Sequence, residues 1–397
     1  MQSLKKLYRI GPGPSSSHTI GPRRAVAFYK EEFPDAESYR VTLYGSLAAT
    51  GKGHLTDKAI IKGFAPKSVE ILWEPKIVKE YHPNAMLLQS VDAAGNIYGD
   101  KTVYSVGGGE LCDGEVECTK IERLYQYNSM DDILGWCKAT GHSFWEYVEE
   151  CEDSDIYDFL NEIWKAMQAS VERGLDSEGR LPGPLNIQRK ASAYYVKAKS
   201  YNSSLRRRSL VFAYALAVSE ENACGGEVVT APTCGASGVL PAVLYAMSRD
   251  FDFPDTKIVR ALATAGLIGN IIKKNASISG AEVGCQGEVG SACAMASGAA
   301  AQIFGGFTPQ IEYAAEMGLE HHLGLTCDPI CGLVQVPCIE RNAFAAARAL
   351  DSSTYSILSD GRHIVSFDKI VRTMNQTGHD LPSIYKETSG GGLAIEF

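Results

Sequence analysis

Glu282-Val-Gly-Cys-Gln-Gly-Glu-Val-Gly-Ser-Ala-Cys-Ala-Met-Ala-Ser-Gly-Ala-Ala-Ala-Gln-Ile-Phe304 lies within the most apolar stretch of the chain, residues 281–306. It is built of Ala, Gly, Ser and Cys rather than Leu, Ile and Val, and it carries Glu282 and Glu288. It therefore reads as a buried helix of a soluble protein and not as a membrane span. Small side chains let helix axes approach closely, so this segment is expected at the centre of a helical bundle. Helical patterns over 209–222, 233–248, 256–274, 309–322 and 339–350 supply its neighbours, after an acidic helical region over 144–168.

Upstream the pattern is different. Arg40-Val-Thr-Leu-Tyr44, Ser68-Val-Glu-Ile-Leu-Trp73, Met86-Leu-Leu-Gln-Ser-Val91 and Lys101-Thr-Val-Tyr-Ser-Val106 are strand candidates, and helices are expected over 23–32 and 55–64. The fold class is therefore α+β multidomain. A small α/β domain over residues 1–125 precedes an all-α domain over 126–397, whose first part, 126–184, is a helical connection.

The 397 residues are 45% hydrophobic and 21% charged, with formal net charge −9 and sequence pI near 5.5. Basic residues gather only in short runs such as Arg206-Arg207-Arg208, so nucleic acid is not an expected partner, and neither is a membrane. The first residues have no apolar signal core, and eleven cysteines is an odd number without the spacing of a secreted disulfide framework. A reducing cytoplasm is the expected location.

Three motifs can carry chemistry. Gly11-Pro-Gly-Pro-Ser-Ser-Ser-His-Thr-Ile-Gly-Pro22 is a loop running into a helix, where amides and the side chains of Ser15, Ser16, Ser17, His18 and Thr19 suit a carboxylate or phosphate. Turn and cap preferences of Ser and Thr account for part of that pattern. Thr50-Gly-Lys-Gly-His-Leu-Thr-Asp57 offers His54 as a base and Lys52 as a point charge for a carboxylate. Cys285, Cys327 and Cys338, the last two bracketing Cys327-Asp-Pro-Ile-Cys-Gly-Leu-Val-Gln-Val-Pro-Cys338, look like an open metal site. Thiolates suit zinc or an iron-sulfur cluster, and three protein ligands leave one metal position free. The alternative for each is an ordinary core thiol. His321-His322 ends an expected helix, which suits the helix dipole better than a metal. The segment from Glu220 to Gly238 contains neither a P-loop nor a Rossmann signature.

Taken together these motifs resemble the iron-sulfur-dependent bacterial L-serine dehydratases of the single-chain type with fused β and α domains. Gly13 to Thr19 and Gly51-Lys-Gly-His54 resemble the family's β-domain. Asn222 to Gly238, Gly280 to Gly290, Gly324 to Asn342 and Tyr385-Lys-Glu-Thr-Ser389 resemble its α-domain. The resemblance implies a [4Fe-4S] cluster held by Cys285, Cys327 and Cys338 with one iron open to substrate, and a homodimer. It also implies an N-terminal domain similar to the allosteric substrate-binding domain of phosphoglycerate dehydrogenase. Cys331, Cys293, Cys224 and Cys234 are the rival ligands. Two departures stand out: Leu55 follows His54 where the family often has a small residue, and Gly391-Gly-Leu-Ala-Ile-Glu-Phe397 ends without a cysteine, so self-inhibition by a terminal thiol is not expected.

The implied reaction is β-elimination of L-serine to pyruvate and ammonia. Iron acts on the hydroxyl and His54 acts as the base or in its relay, with His18 beside it. Ser15 to Thr19 and Lys52 take up the substrate. The rivals are cysteine desulfuration or another small amino-acid lyase reaction at the same cluster, and a non-catalytic amino-acid sensor with structural cysteines or a closed zinc. No lysine stands in a persuasive pyridoxal-phosphate context.

Overall fold

The computed structural model describes residues 1–113 and 124–396. Its strands are β1 (Ile10–Pro12), β2 (Ser38–Tyr44), β3 (Val69–Glu74), β4 (Ala85–Val91), β5 (Ile97–Ser105), β6 (Leu111–Cys112) and β7 (Glu227–Val229). The helices of the first part are α1 (Gly21–Glu32), α2 (Gly45–Ala49) and α3 (Thr56–Phe64). The remainder is helical: α4 (Met130–Thr140), α5 (Phe144–Cys151), α6 (Ile156–Asp176), α7 (Ala191–Lys199), α8 (Ser203–Ala223), α9 (Val239–Arg249), α10 (Asp255–Asn275), α11 (Gly280–Val283), α12 (Ser291–Ile303), α13 (Thr308–Glu320), α14 (Cys338–Ile357) and α15 (Phe367–Asp380). The α+β reading holds.

Alternation along β2 sends Tyr39, Val41 and Leu43 to one face, where α1 and α3 cover them with Val26, Tyr29, Ile60 and Phe64. The five strands run in the order β3-β2-β4-β5-β6. β2 and β3 are parallel, as the crossover through α2 and α3 demands, and the other pairs are antiparallel. The turn into that crossover, residues 50–55, carries His54.

In the helical part α12 is central. It packs against α9, α10, α13 and α14, and every residue except Gln302 is buried. The single helix expected over 282–304 is instead broken. α11 stops at Gly284, whose φ of +74° suits glycine, and a Cβ there would lie 2.8 Å from the Leu325 carbonyl oxygen. A π-helical turn, Gln286–Gly290, follows before α12 begins. π-turns are frequent at functional sites, and this one carries Glu288, with Cys285 just before it.

The acidic region read over 144–168 also divides, into α5 and α6. The carboxylate of Glu152 in the gap accepts from Ser3 Oγ and the Leu4 amide, both at 2.6 Å, and from Tyr125 Oη at 2.7 Å. This anchors the N-terminus, whose Leu4, Leu7 and Tyr8 are buried in the helical core. β1 then pairs antiparallel with β7. A three-residue pairing between positions so far apart has no periodic signature, yet it delivers the following Ser-rich loop to the helical body.

Candidate functional site

The loop after β1 turns tightly. Ser15 caps a π-helical turn, Ser16–Ile20, its hydroxyl accepting from the His18 amide at 3.1 Å, and the turn continues directly into α1. Ser17 Oγ lies 2.9 Å from His18 Nδ1, and His18 Nε2 lies 3.1 Å from the Ser46 carbonyl oxygen on α2. A carbonyl only accepts, so Nε2 bears the proton and Nδ1 accepts from Ser17. Burial holds the ring neutral, lowering its pKa to about 4 against the opposing Ser46 carbonyl.

His54 packs edge-on against His18 with ring centroids 4.5 Å apart, and Thr19 Oγ1 donates to the His54 carbonyl at 2.7 Å. Thr50 Oγ1 donates to the Ser46 carbonyl at 3.1 Å and lies 3.2 Å from His54 Nδ1. With its own proton committed, the hydroxyl accepts from Nδ1–H, so His54 Nε2 keeps its lone pair. Burial, then the neighbouring His18, hold His54 well below its ordinary pKa, so the ring stays neutral at neutral pH, with Nδ1–H and a free Nε2. Leu55, flagged above, takes the left-handed conformation at φ +55°.

The helical body supplies the thiols. Cys285, Cys327 and Cys338 line one cavity together with Ser15, His54, Glu288 and Glu387. Cys285 follows the break at Gly284. Cys338 opens α14, where the helix dipole favours a thiolate. Cys327 is fixed by two backbone hydrogen bonds of 2.8 Å, its N–H to the Tyr385 carbonyl and its carbonyl from the Glu387 N–H. Gly53 lies so close to the Cys331–Gly332 backbone that a Cβ would sit 2.7 Å from the Gly332 carbonyl carbon. That contact joins the His54 turn to the cysteine loop.

Burial raises all three thiols, Cys285 to about 11 despite Arg341 beside it, and Cys327 and Cys338 further. Ionised thiolates here require a positively charged metal partner. Among the described residues no three cysteine sulfurs fall within 4.8 Å of one another, whereas thiolates on one tetrahedral zinc sit about 3.8 Å apart. An all-thiol donor set suits a thiophilic metal.

The rival cysteines stand elsewhere. Cys293 is buried in α12, its Sγ 3.4 Å from the Ala345 carbonyl on α14. Cys331 is exposed on an outer cleft, and Cys224, also exposed, faces Arg189 at 3.7 Å. Cys234 is buried beside Gly235, and only the glycine lines the cavity. Lys52 lies on the outer cleft with its ammonium 5.6 Å from the Trp73 ring, apart from the inner cavity. Ser16 and Ser17 are buried in the turn behind Ser15. His322 Nδ1 donates to the Gly318 carbonyl at 2.7 Å, a helix-end role.

Glu288 and Glu387 had no role assigned from sequence. In the sequence Glu288 is a charge inside an apolar run, and that misfit is the signal that points to it. Glu387 lies on a left-handed backbone at φ +57°, its Oε1 3.5 Å from His18 Nδ1 and 4.0 Å from His54 Nδ1. His18, His54 and Glu387 thus offer ligand atoms within 4.8 Å of one another. Both nitrogens of His18 and Nδ1 of His54 are already hydrogen-bonded, so the group reads as a relay. Burial pushes both carboxyls up to about 8, and Glu288 also feels the charge of Glu387.

The family model described as serine dehydratase beta chain matches residues 3–72, and that described as serine dehydratase alpha chain matches residues 76–394. An L-serine dehydratase of Streptomyces coelicolor is 42% identical, covering 99% of this chain and 98% of its own. L-serine dehydratase 1 of Escherichia coli is 39% identical, covering 100% and 99%. An L-serine dehydratase of Haemophilus influenzae is 40% identical, also covering 100% and 99%.

Proposed function

The chain belongs to the serine dehydratase family, and from that premise we propose that it converts L-serine to pyruvate and ammonia by metal-assisted β-elimination. The observation that carries this reading is the meeting, in one buried cavity, of three thiols from the helical body with His54 and Ser15 from the N-terminal part.

In this reading Cys285, Cys327 and Cys338 would hold a [4Fe-4S] cluster, which would supply Lewis acidity to the serine hydroxyl. The turn from Ser15 to Thr19 receives the carboxylate, with Ser15 at the cavity wall and Ser16, Ser17, His18 and Thr19 fixing its shape. His54 Nε2 takes the Cα proton while Thr50 holds the ring in the tautomer that leaves that nitrogen free. Loss of hydroxide from Cβ leaves aminoacrylate, which tautomerises and is hydrolysed by water to pyruvate and ammonia. Lys52, at the outer cleft, offers its ammonium to the carboxylate end of the entering substrate.

Buried thiolates that bind iron need a reducing compartment, which supports the cytoplasm. No described helix is long and apolar enough to cross a membrane. The homodimer implied by the resemblance is read by sedimentation. The test of function is anaerobic reconstitution with iron and sulfide followed by assay of pyruvate from L-serine, L-threonine and L-cysteine. Turnover of L-serine far above the others supports the reading. Sulfide release from L-cysteine alone, or a zinc-loaded protein that leaves every substrate unchanged, overturns it.

A further inference from the structure

L-serine carries four groups that an enzyme must address: a carboxylate, a hydroxyl, a Cα proton and an ammonium. The reading above gives the first three a partner and leaves the ammonium with none. An unpaired ammonium in a closed cavity is costly, so a counter-charge is needed.

The cavity holds two carboxylates on different structural units. Glu288 lies on the π-turn before α12 and Glu387 on the C-terminal segment that crosses the cysteine loop. Among the described residues that line it, none is Lys or Arg. The ring nitrogens nearest Glu387 belong to His18 and His54, which full burial keeps neutral. Space is kept open around Glu288. A Cβ on Gly280 would lie 2.8 Å from its Oε2 and 3.2 Å from Cys327 Sγ, and a Cβ on Gly235 would lie 3.4 Å from its Oε1. Glu387 is held in a left-handed conformation that non-glycine residues rarely adopt, fixed by its N–H to the Cys327 carbonyl and by Ser46 Oγ donating to its own carbonyl at 2.8 Å. Such strain persists where placement of the side chain matters.

We propose that Glu288 and Glu387 form the ammonium subsite of this cavity, selecting α-amino acids over hydroxy acids that lack the amine. The inference rests on the serine-dehydratase reading and deepens it. The ammonium sits between the two acidic side chains, to which the lining of the cavity offers no other cation, while the carboxylate end reaches the Ser15 turn. A 3-hydroxy acid of the same length, without the ammonium, fits the remaining subsites and leaves the pair uncompensated.

The experiment compares anaerobically reconstituted wild type with Glu387→Gln and Glu288→Gln. It measures kcat and KM for L-serine, and binding by calorimetry of L-alanine, which has the ammonium but no leaving group, and of 3-hydroxypropionate, which has the hydroxyl but no ammonium. In each variant KM for L-serine and Kd for L-alanine are expected to rise on the order of 30-fold or more. Affinity for 3-hydroxypropionate is expected to stay within about threefold, and cluster absorbance to persist. Equal weakening of all three ligands would make the pair merely structural and overturn the proposal. So would a fall in kcat with KM and both affinities unchanged, which would make it a proton-transfer pair. Wild type that binds L-alanine but never turns over L-serine defeats the dehydratase reading instead, leaving the subsite standing.

Discussion

In the proposed reaction the part played by His54 is set by one neighbouring hydroxyl. Thr50 Oγ1 spends its proton on the Ser46 carbonyl and so fixes Nδ1–H on His54, which leaves Nε2 as the only basic position on that ring. His54→Ala is therefore expected to lower kcat by roughly 10²–10⁴-fold while visible cluster absorbance is retained; undiminished turnover would remove His54 from the mechanism. Thr50→Val keeps the shape of that side chain and removes the hydroxyl, so it is expected to lower kcat more than it raises KM. Unchanged kcat would show that the tautomer needs no such support. His54, the serines and the three cysteines were legible because glycine-flanked histidines, hydroxyl runs and isolated cysteines stand out in a sequence. Glu387 did not stand out, because its value lies in a left-handed backbone and two neighbours more than 330 positions away. Tyr385-Lys-Glu-Thr-Ser389 shows neither.

Among elements, the small-residue composition of α12 and its neighbours was the most reliable signal. Gly318 on α13 packs so tightly that a Cβ would lie 2.9 Å from the Ala294 Cα of α12, and a Cβ on Gly174 of α6 would lie 2.7 Å from the Ala217 Cα of α8. Backbone cannot move aside as a flexible side chain can. Gly174→Ala, remote from the cavity, is expected to destabilise by about 1–3 kcal/mol in denaturant titrations, with KM for L-serine unchanged; a stability equal to wild type would contradict this packing. Strands β2 to β5 were legible from β-branched and aromatic runs. The break in the 282–304 helix was not, because glycine inside a helical pattern can mean close packing or termination. Only the Leu325 carbonyl lying against Gly284 decides between them.

At the scale of the whole molecule, the sheet must stay docked on the bundle for His54 to face the thiols. Glu110, just before β6, pairs with Lys273 of α10 at 2.5 Å and accepts from Gln2 at 3.0 Å, all partly buried. Burial alone would raise the Glu110 carboxyl, but Lys273, Gln2 and Arg9 together outweigh it and hold the group below its ordinary value. Burial also lowers Lys273, so the pair only partly offsets the cost of burying its ammonium. In acid only Glu110 titrates. Its stabilisation is complete above the unfolded carboxyl pKa of about 4.5 and is lost as pH falls through the lower folded value. Glu110→Gln should therefore flatten the fall in stability below about pH 4.5, and an unaltered acid limb would contradict this. The account as a whole depends on a cluster with one metal free for substrate, and Mössbauer spectroscopy of protein reconstituted with ⁵⁷Fe tests it most directly. It predicts that roughly a quarter of the iron signal is distinct and shifts on addition of L-serine while the rest stays put. Four equivalent irons indifferent to L-serine would contradict it.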